Sequence, residues 1–282
     1  DQDRPAPETL DGHLVGERKP ADGAAKDRRS REAWMSPLLG ALLAGVSGAV
    51  VDVGANTGRT LRHLISVDPH REYWGFEPQP EAVVELLRHS DGRPNCHVVP
   101  VALAERTRLV TLHRNRPADP SGSIDAQFRP DDFHERTLLG IALEGDFVLD
   151  ALGVQDVAVI KVDVEGAELE VLQGLERTIR QHRPSILFEI LPNWLLKTGA
   201  ELGDSIVAYR SQRLAELDRL LTDAGYAYLR VATPRGSRGE LWRVARLDAN
   251  DSDRRTHNML AIPQEQAERI TELLGETGLA TS

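Results

Sequence analysis

Residues 50–60 read "VVDVGANTGRT", an apolar run that meets two glycines and then turns amphipathic. That order predicts a buried strand, a glycine-punctuated loop and a helix, the opening unit of a sheet wound with helices on both faces. In an open parallel sheet, ligands bind beyond the carboxyl ends of the strands, where strand order reverses. The loop at 54–58 is therefore the first place to look for a ligand, and its spacing separates three kinds. A phosphate-gripping loop needs Gly-x-x-x-x-Gly-Lys-Ser/Thr, but Gly58 is followed by Arg59 and Thr60. A dinucleotide loop needs Gly-x-Gly-x-x-Gly, and from Gly54 this chain puts Asn56 and Arg59 at the other two glycine positions.

The pattern that is satisfied is acidic-x-Gly-x-x-x-Gly, by Asp52, Gly54 and Gly58. A carboxylate just ahead of the turn repels a pyrophosphate and holds a cationic ammonium well. S-adenosylmethionine, with its amino and sulfonium groups, fits. On this reading Gly54 and Gly58 let the backbone approach the ligand, and Asn56 occupies a position between them. A second acid supports it: "YWGFEPQP" (73–80) ends a predicted strand in Glu77, 25 residues after Asp52. A carboxylate there can accept hydrogen bonds from both ribose hydroxyls of an adenosine, and Pro78 fixes the backbone beyond it.

Outward from this unit, strand and helix signals alternate. A short helix starts at 33 within "AWMSPLLGALLAGV", interrupted by Pro37. Then come a strand at 49–54, a helix at 58–66, a strand at 73–77, a helix at 80–89, and strands at 97–101 and 109–113. Residues 114–136 are rich in Pro, Asp, Ser and Gly and aperiodic, which predicts a long surface excursion of the kind that is usually functional or mobile. "VAVIKVDVEG" (157–166) and "SILFEIL" (185–191) read as buried strands around a helix at 167–182. A helix at 211–224, strands at 226–232 and 257–262, and a C-terminal helix complete the series. Short apolar runs separated by amphipathic helices indicate a mostly parallel sheet covered on both faces. Residues 33–282 form one domain on this reading, and the polar, Pro-interrupted residues 1–32 form an arm that is flexible or packs over the site or a partner.

The 282 residues carry a formal net charge of −10, which argues against a general nucleic-acid binder because phosphate neutralisation needs a concentrated basic face. The one cysteine, Cys96, fits a reducing compartment and leaves no Cys-based zinc site. Cytoplasm is the default expectation. No apolar run approaches the roughly 20 residues of a membrane-spanning helix, and the N-terminus shows no apolar signal core. Thirty of the 34 basic residues are arginine, a hint of a GC-rich bacterial genome.

Taken together, "VDVGANTG", "FEPQPEA", "VPVALAE" and above all "IKVDVEGAELEVLQG" followed by "RPSILFEI" resemble the FkbM family of S-adenosylmethionine-dependent methyltransferases, over about residues 50–263. The resemblance implies a class I methyltransferase fold: a Rossmann-like, doubly wound, seven-stranded sheet whose last strand runs antiparallel, here "HNMLAI". It implies O-methylation of a hydroxyl on a sugar, glycolipid, polyketide or other natural product, including lipid-linked acceptors. Residue by residue, it assigns Asp52, Gly54, Asn56, Thr57 and Gly58 to the cofactor loop and Glu77 with Pro78 to the ribose. Ala102 and Leu103 fall at the adenine edge. Ser121 and Ser123, in "PSGSID", match the family's Ser-containing loop near the site. The arm and the 114–136 excursion lie outside the shared pattern, where acceptor choice is expected to be encoded.

Methyl transfer to oxygen is an in-line displacement, so a positioned base or a metal ion must loosen the acceptor's proton. Asp163 and Glu165 close one strand and Glu189 another, placing three carboxylates on the carboxyl edge as the catalytic candidates. The same three are the candidate ligands for a divalent metal such as Mg²⁺, and the sequence does not separate the two roles. Asp163 and Glu165 also suit a helix N-terminus, and Glu168, in the first turn, suits that role better still. His134 and His257 can also reach the site as bases. A nicotinamide-dependent oxidoreductase fits poorly, since no tyrosine has a lysine four residues on. A non-catalytic cofactor-binding module is disfavoured by the complete acidic cluster. The sequence leaves the acceptor, a metal requirement and assembly into a homo-oligomer open.

Overall fold

The computed structural model describes residues 33–130, 133–191, 203–232, 240–249, 257–276 and 280–281; the polar arm expected over 1–32 lies outside them. Helix α1 (Met35–Leu43) comes first, with Pro37 tolerated in its first turn. Then follow β1 (Ala49–Val53), α2 (Arg59–Val67), β2 (Tyr73–Phe76), α3 (Pro80–Ser90), β3 (Cys96–Val99), β4 (Ala102–Ala104), β5 (Arg108–Arg114) and β6 (Arg136–Glu144). After α4 (Gly145–Ala151) come β7 (Val157–Val162), α5 (Glu168–Gly174), α6 (Glu176–His182), β8 (Ser185–Glu189) and α7 (Asp204–Asp223). The chain closes with β9 (Tyr226–Ala232), β10 (Glu240–Val244), β11 (Asn258–Pro263), α8 (Ala267–Glu276) and β12 (Ala280–Thr281).

The main sheet has the order β12-β10-β9-β11-β8-β7-β1-β2-β3. Strands β3, β2, β1, β7 and β8 pair in parallel, and β11 runs antiparallel to both β8 and β9 between them. "HNMLAI" is therefore the antiparallel strand of the sequence reading. Nine strands stand where seven were expected, because β10 pairs antiparallel with β9 and carries the short β12 on its outer edge. Strand order reverses at the β1/β7 pair.

Apolar side chains fill both faces of this sheet. On one, Leu38 and Leu39 of α1, Leu61 and Leu64 of α2, Leu86 of α3 and Ile270 of α8 pack on Val50, Val159, Leu187 and Leu260. On the other, residues of α4 to α7, among them Leu149, Leu172, Ile179 and Leu221, pack on Val51, Ile160 and Phe188. Among the described residues no helix is long and apolar enough to cross a membrane.

A second sheet, β4-β6-β5, departs from the expected series. The strand expected at 97–101 is β3 alone, and β4 and β5 leave the main sheet to pair with β6. The helix expected over 167–182 is two, with a jog at the buried Leu175. There Gly174 backs onto β4 so closely that a Cβ would sit 2.0 Å from the Ala104 carbonyl oxygen. That contact ties the second sheet to the layer formed by α4 to α7.

Candidate functional site

Beyond the carboxyl ends of β1, β2, β7 and β8, at the reversal of strand order, lies a cavity of about 370 Å³. Asn56, Thr57, Glu77, Pro78, Ala102 and Leu103 line one part of it, and Asp163, Glu165 and Glu189 another. Glu77, just past β2, is buried, and its two oxygens are held apart by backbone donors. Asn56 N–H donates to Oε2 at 2.9 Å and Gln79 N–H to Oε1 at 2.9 Å. Burial pushes this carboxyl up to about 7, against the pull of those hydrogen bonds. Asn56 takes a left-handed φ of 45°, which turns its amide toward the acid. The loop after β1 and the acid after β2 are thus one hydrogen-bonded unit.

Both glycines of that loop serve the protein's own packing, and Gly54 also lines the cavity. Gly54 has φ 77°, and a Cβ on it would come 2.0 Å from the Asp163 carbonyl oxygen, so its bareness lets β1 and β7 close on each other. Gly58, at φ 81°, packs on Leu86 of α3 and does not line the cavity. Asp52 is likewise set back. It is fully buried under the loop, its Oδ2 accepting the Tyr73 hydroxyl at 2.8 Å, and burial raises its pKa while Lys161 opposes the rise. Its register partner on β7 is Lys161, whose Nζ stands 3.8 Å from Oδ1. It is Lys161, unassigned by the sequence reading, that lines the cavity. A lysine inside an apolar strand was the available signal, since a buried charge must find a partner.

The three carboxylates meet different partners. Asp163 Oδ2 accepts from Lys161 Nζ at 3.1 Å. Glu165, at φ 58°, is ion-paired with Arg129. Burial pushes its carboxyl up to about 8, Arg129 opposing and Glu189 and Asp163 adding to the rise. Glu189, at the end of β8, stands 3.7 Å from His257 Nδ1, just ahead of β11, and both line the cavity. Glu168, in the first turn of α5, turns back to accept the Gly166 N–H at 3.2 Å, ahead of the N-cap Ala167, and so braces the loop before the helix. With two of the three carboxylates matched to cations, the donor set does not suit Mg²⁺, which wants free oxygen ligands. Among the described residues no group of three His, Cys, Asp or Glu side chains is placed to hold a metal.

Part of the 114–136 excursion, residues 119–124, borders the cavity. Asp119, Pro120, Gly122 and Ile124 line it, while Ser121 and Ser123 turn inward. The Ser121 hydroxyl donates to Asp119 Oδ1 at 2.8 Å, and Ser123 Oγ accepts the Asp125 N–H at 3.1 Å. Both serines therefore shape the loop from outside the cavity. Gln79 clasps the loop with its side-chain amide, Nε2 donating to the Asp119 carbonyl and Oε1 accepting its N–H, each at 2.9 Å. Further on, Arg210 of α7 donates to the Phe128 carbonyl. His134 donates to the Ser121 carbonyl at 2.8 Å and stays outside the cavity. Trp34 and Met35 complete the wall near β1; nothing in their local sequence marks them as site residues.

Compared with known proteins, residues 52–228 match the family model described as the methyltransferase FkbM domain. A 2-O-methyltransferase, NoeI, of Sinorhizobium fredii is 23% identical over 149 residues, 48% of this chain and 60% of that protein. A hexuronic acid methyltransferase, AglP, of Haloferax volcanii is 27% identical over 138 residues, 46% of this chain and 50% of that protein. The matched stretches thus span little more than half the length of these relatives. Among solved structures, an FkbM methyltransferase from Methylobacillus flagellatus superposes with a TM-score of 0.45 at 21% identity, over 76% of this chain and 43% of that one.

Proposed function

Since the chain belongs to the FkbM methyltransferase family, we propose that it transfers the methyl group of S-adenosylmethionine to a hydroxyl of a sugar or another natural product. The observation that carries this reading is the cavity itself. At one end Glu77 is propped by two backbone N–H groups to receive a vicinal diol, and at the other Glu189 and His257 face the same space. The relatives named as a 2-O-methyltransferase and a hexuronic acid methyltransferase support a sugar hydroxyl as the acceptor.

The bound cofactor would supply an electrophilic methyl on a sulfonium; the chain's residues do the rest. Glu77 anchors the ribose, and Ala102 and Leu103 offer an apolar edge to the base. Because Asp163 is drawn to Lys161 and Glu165 to Arg129, Glu189 with His257 is the pair best placed to work on the acceptor. The acceptor hydroxyl gives up its proton to this pair, whose Nδ1 and Oε1 stand 3.7 Å apart, as the oxygen attacks. With the cofactor bound, the acceptor would leave as its methyl ether and the cofactor as S-adenosylhomocysteine. The excursion and Trp34 keep water out while this happens.

Calorimetry with S-adenosylhomocysteine and an assay of its release across a panel of sugar acceptors test the reading. Glu77→Ala should weaken binding by tenfold or more. His257→Ala should lower turnover by about 10²–10⁴ with binding retained. Absence of binding by the unaltered protein would sink the proposal.

A further inference from the structure

A zwitterion is recognised best by two opposite charges held a few ångströms apart in a site that excludes water. Such a pair sits in the cavity wall. Lys161 and Asp163 are two residues apart, with Nζ 3.1 Å from Oδ2, and both line the cavity. They differ in setting. Lys161 is 8% exposed, whereas the Asp163 side chain is 40% exposed. Behind the lysine, Asp52 is wholly buried. Its Oδ2 is fixed by Tyr73, and its Oδ1 has no hydrogen-bond partner although Nζ is 3.8 Å away. A buried carboxylate oxygen without a donor is costly, and here it faces Lys161.

If Glu77 holds the ribose and Ala102 and Leu103 the base, the amino-acid end of the cofactor falls against β1 and β7, on this pair. We propose that Lys161 and Asp163 form the receptor for that zwitterionic tail, Lys161 taking its carboxylate and Asp163 its ammonium, with Asp52 as the positioning residue behind the lysine. This assignment rests on the methyl-transfer reading and changes two roles within it. Asp163 binds cofactor instead of acting on the acceptor, and Asp52 acts through Lys161 instead of touching the ammonium. Arg59, the first residue of α2, also lines the cavity but is exposed, where solvent screens its charge.

Three probes separate the contributions: S-adenosylhomocysteine with both charges, its decarboxylated analogue with the ammonium only, and 5′-methylthioadenosine with neither. Lys161→Met should weaken S-adenosylhomocysteine binding about ten- to a hundredfold and leave the other two within about twofold. Asp163→Asn should weaken the first two and spare the third. Asp52→Asn should weaken S-adenosylhomocysteine relative to 5′-methylthioadenosine, a change that a merely structural role would not produce. Retained 5′-methylthioadenosine binding reports an intact fold. Should Lys161→Met bind nothing, the double variant Asp52→Asn/Lys161→Met, which neutralises the buried acid as well, makes the same comparison. An unchanged ratio of S-adenosylhomocysteine to 5′-methylthioadenosine affinity in the lysine variants, or its loss in Arg59→Ala instead, overturns the assignment. Failure of the unaltered protein to bind S-adenosylhomocysteine would overturn the methyl-transfer reading.

Discussion

Glu77 is a carboxyl that burial makes hard to ionise and two backbone N–H groups make easier. Ribose hydroxyls donate to the ionised form, so binding is linked to loss of its proton. S-adenosylhomocysteine affinity should therefore fall as pH drops through about 7, approaching tenfold per pH unit well below it. Calorimetry between about pH 5.5 and 8.5 reads this directly, and Glu77→Gln should flatten the dependence at a lower affinity. Gly54 shows the opposite kind of residue, decisive through what it lacks. Its φ of 77° and the 2.0 Å approach of the Asp163 carbonyl mean that Gly54→Ala adds strain to a backbone clash. A loss above about 3 kcal/mol is expected in urea unfolding. The sequence marked both residues; Gly54 lines the cavity, as its spacing suggested, and its other side is closed by the chain just past β7. Spacing reports that a glycine is needed and not which side of it is crowded.

At the scale of elements, the clasp between α3 and the excursion explains why a Pro- and Asp-rich stretch borders the cavity. Gln79→Ala removes both bonds to Asp119. It should speed hydrogen exchange across residues 115–125 and weaken cofactor binding several-fold, by about 1–2 kcal/mol. Buried strands were the legible elements. β1, β2, β7, β8, β9 and β11 follow from apolar runs, because strands covered on both faces leave that unbroken signature. β6 escaped because its outward residues are apolar too, with Leu139 79% exposed and Ile141 49% exposed, so the alternation that marks a half-buried strand is missing. The pairing of β4 with β6 joins residues about 40 apart, a relation no local pattern contains. The site divides in the same way. The acids at strand ends were readable from position, whereas Trp34 and the Asp119 turn reach the cavity only through tertiary packing.

Over the whole molecule, Glu77, Glu165 and Glu168 share one consequence of burial: folding raises their pKa values to about 7, 8 and 7. A raised pKa contributes stability that is complete below the unfolded value near 4.5 and is lost as pH rises through the folded value. The ligand-free protein should therefore melt several degrees lower at pH 8 than at about pH 5.5 in a thermal scan, and Glu168→Gln should remove part of that slope. Topology adds a constraint of time. Since β11 lies between β8 and β9, and His257 and Asn258 belong to the cavity wall, residues 258–263 supply an inner strand and not an edge. On the ribosome, everything up to β9 emerges with a gap in the sheet that nothing made so far can fill. The nascent protein must hold two unpaired strand edges apart, exposed to misassembly, until residues 258–263 are released to enter. Competence for ligand therefore waits on the entry of β11 between β8 and β9.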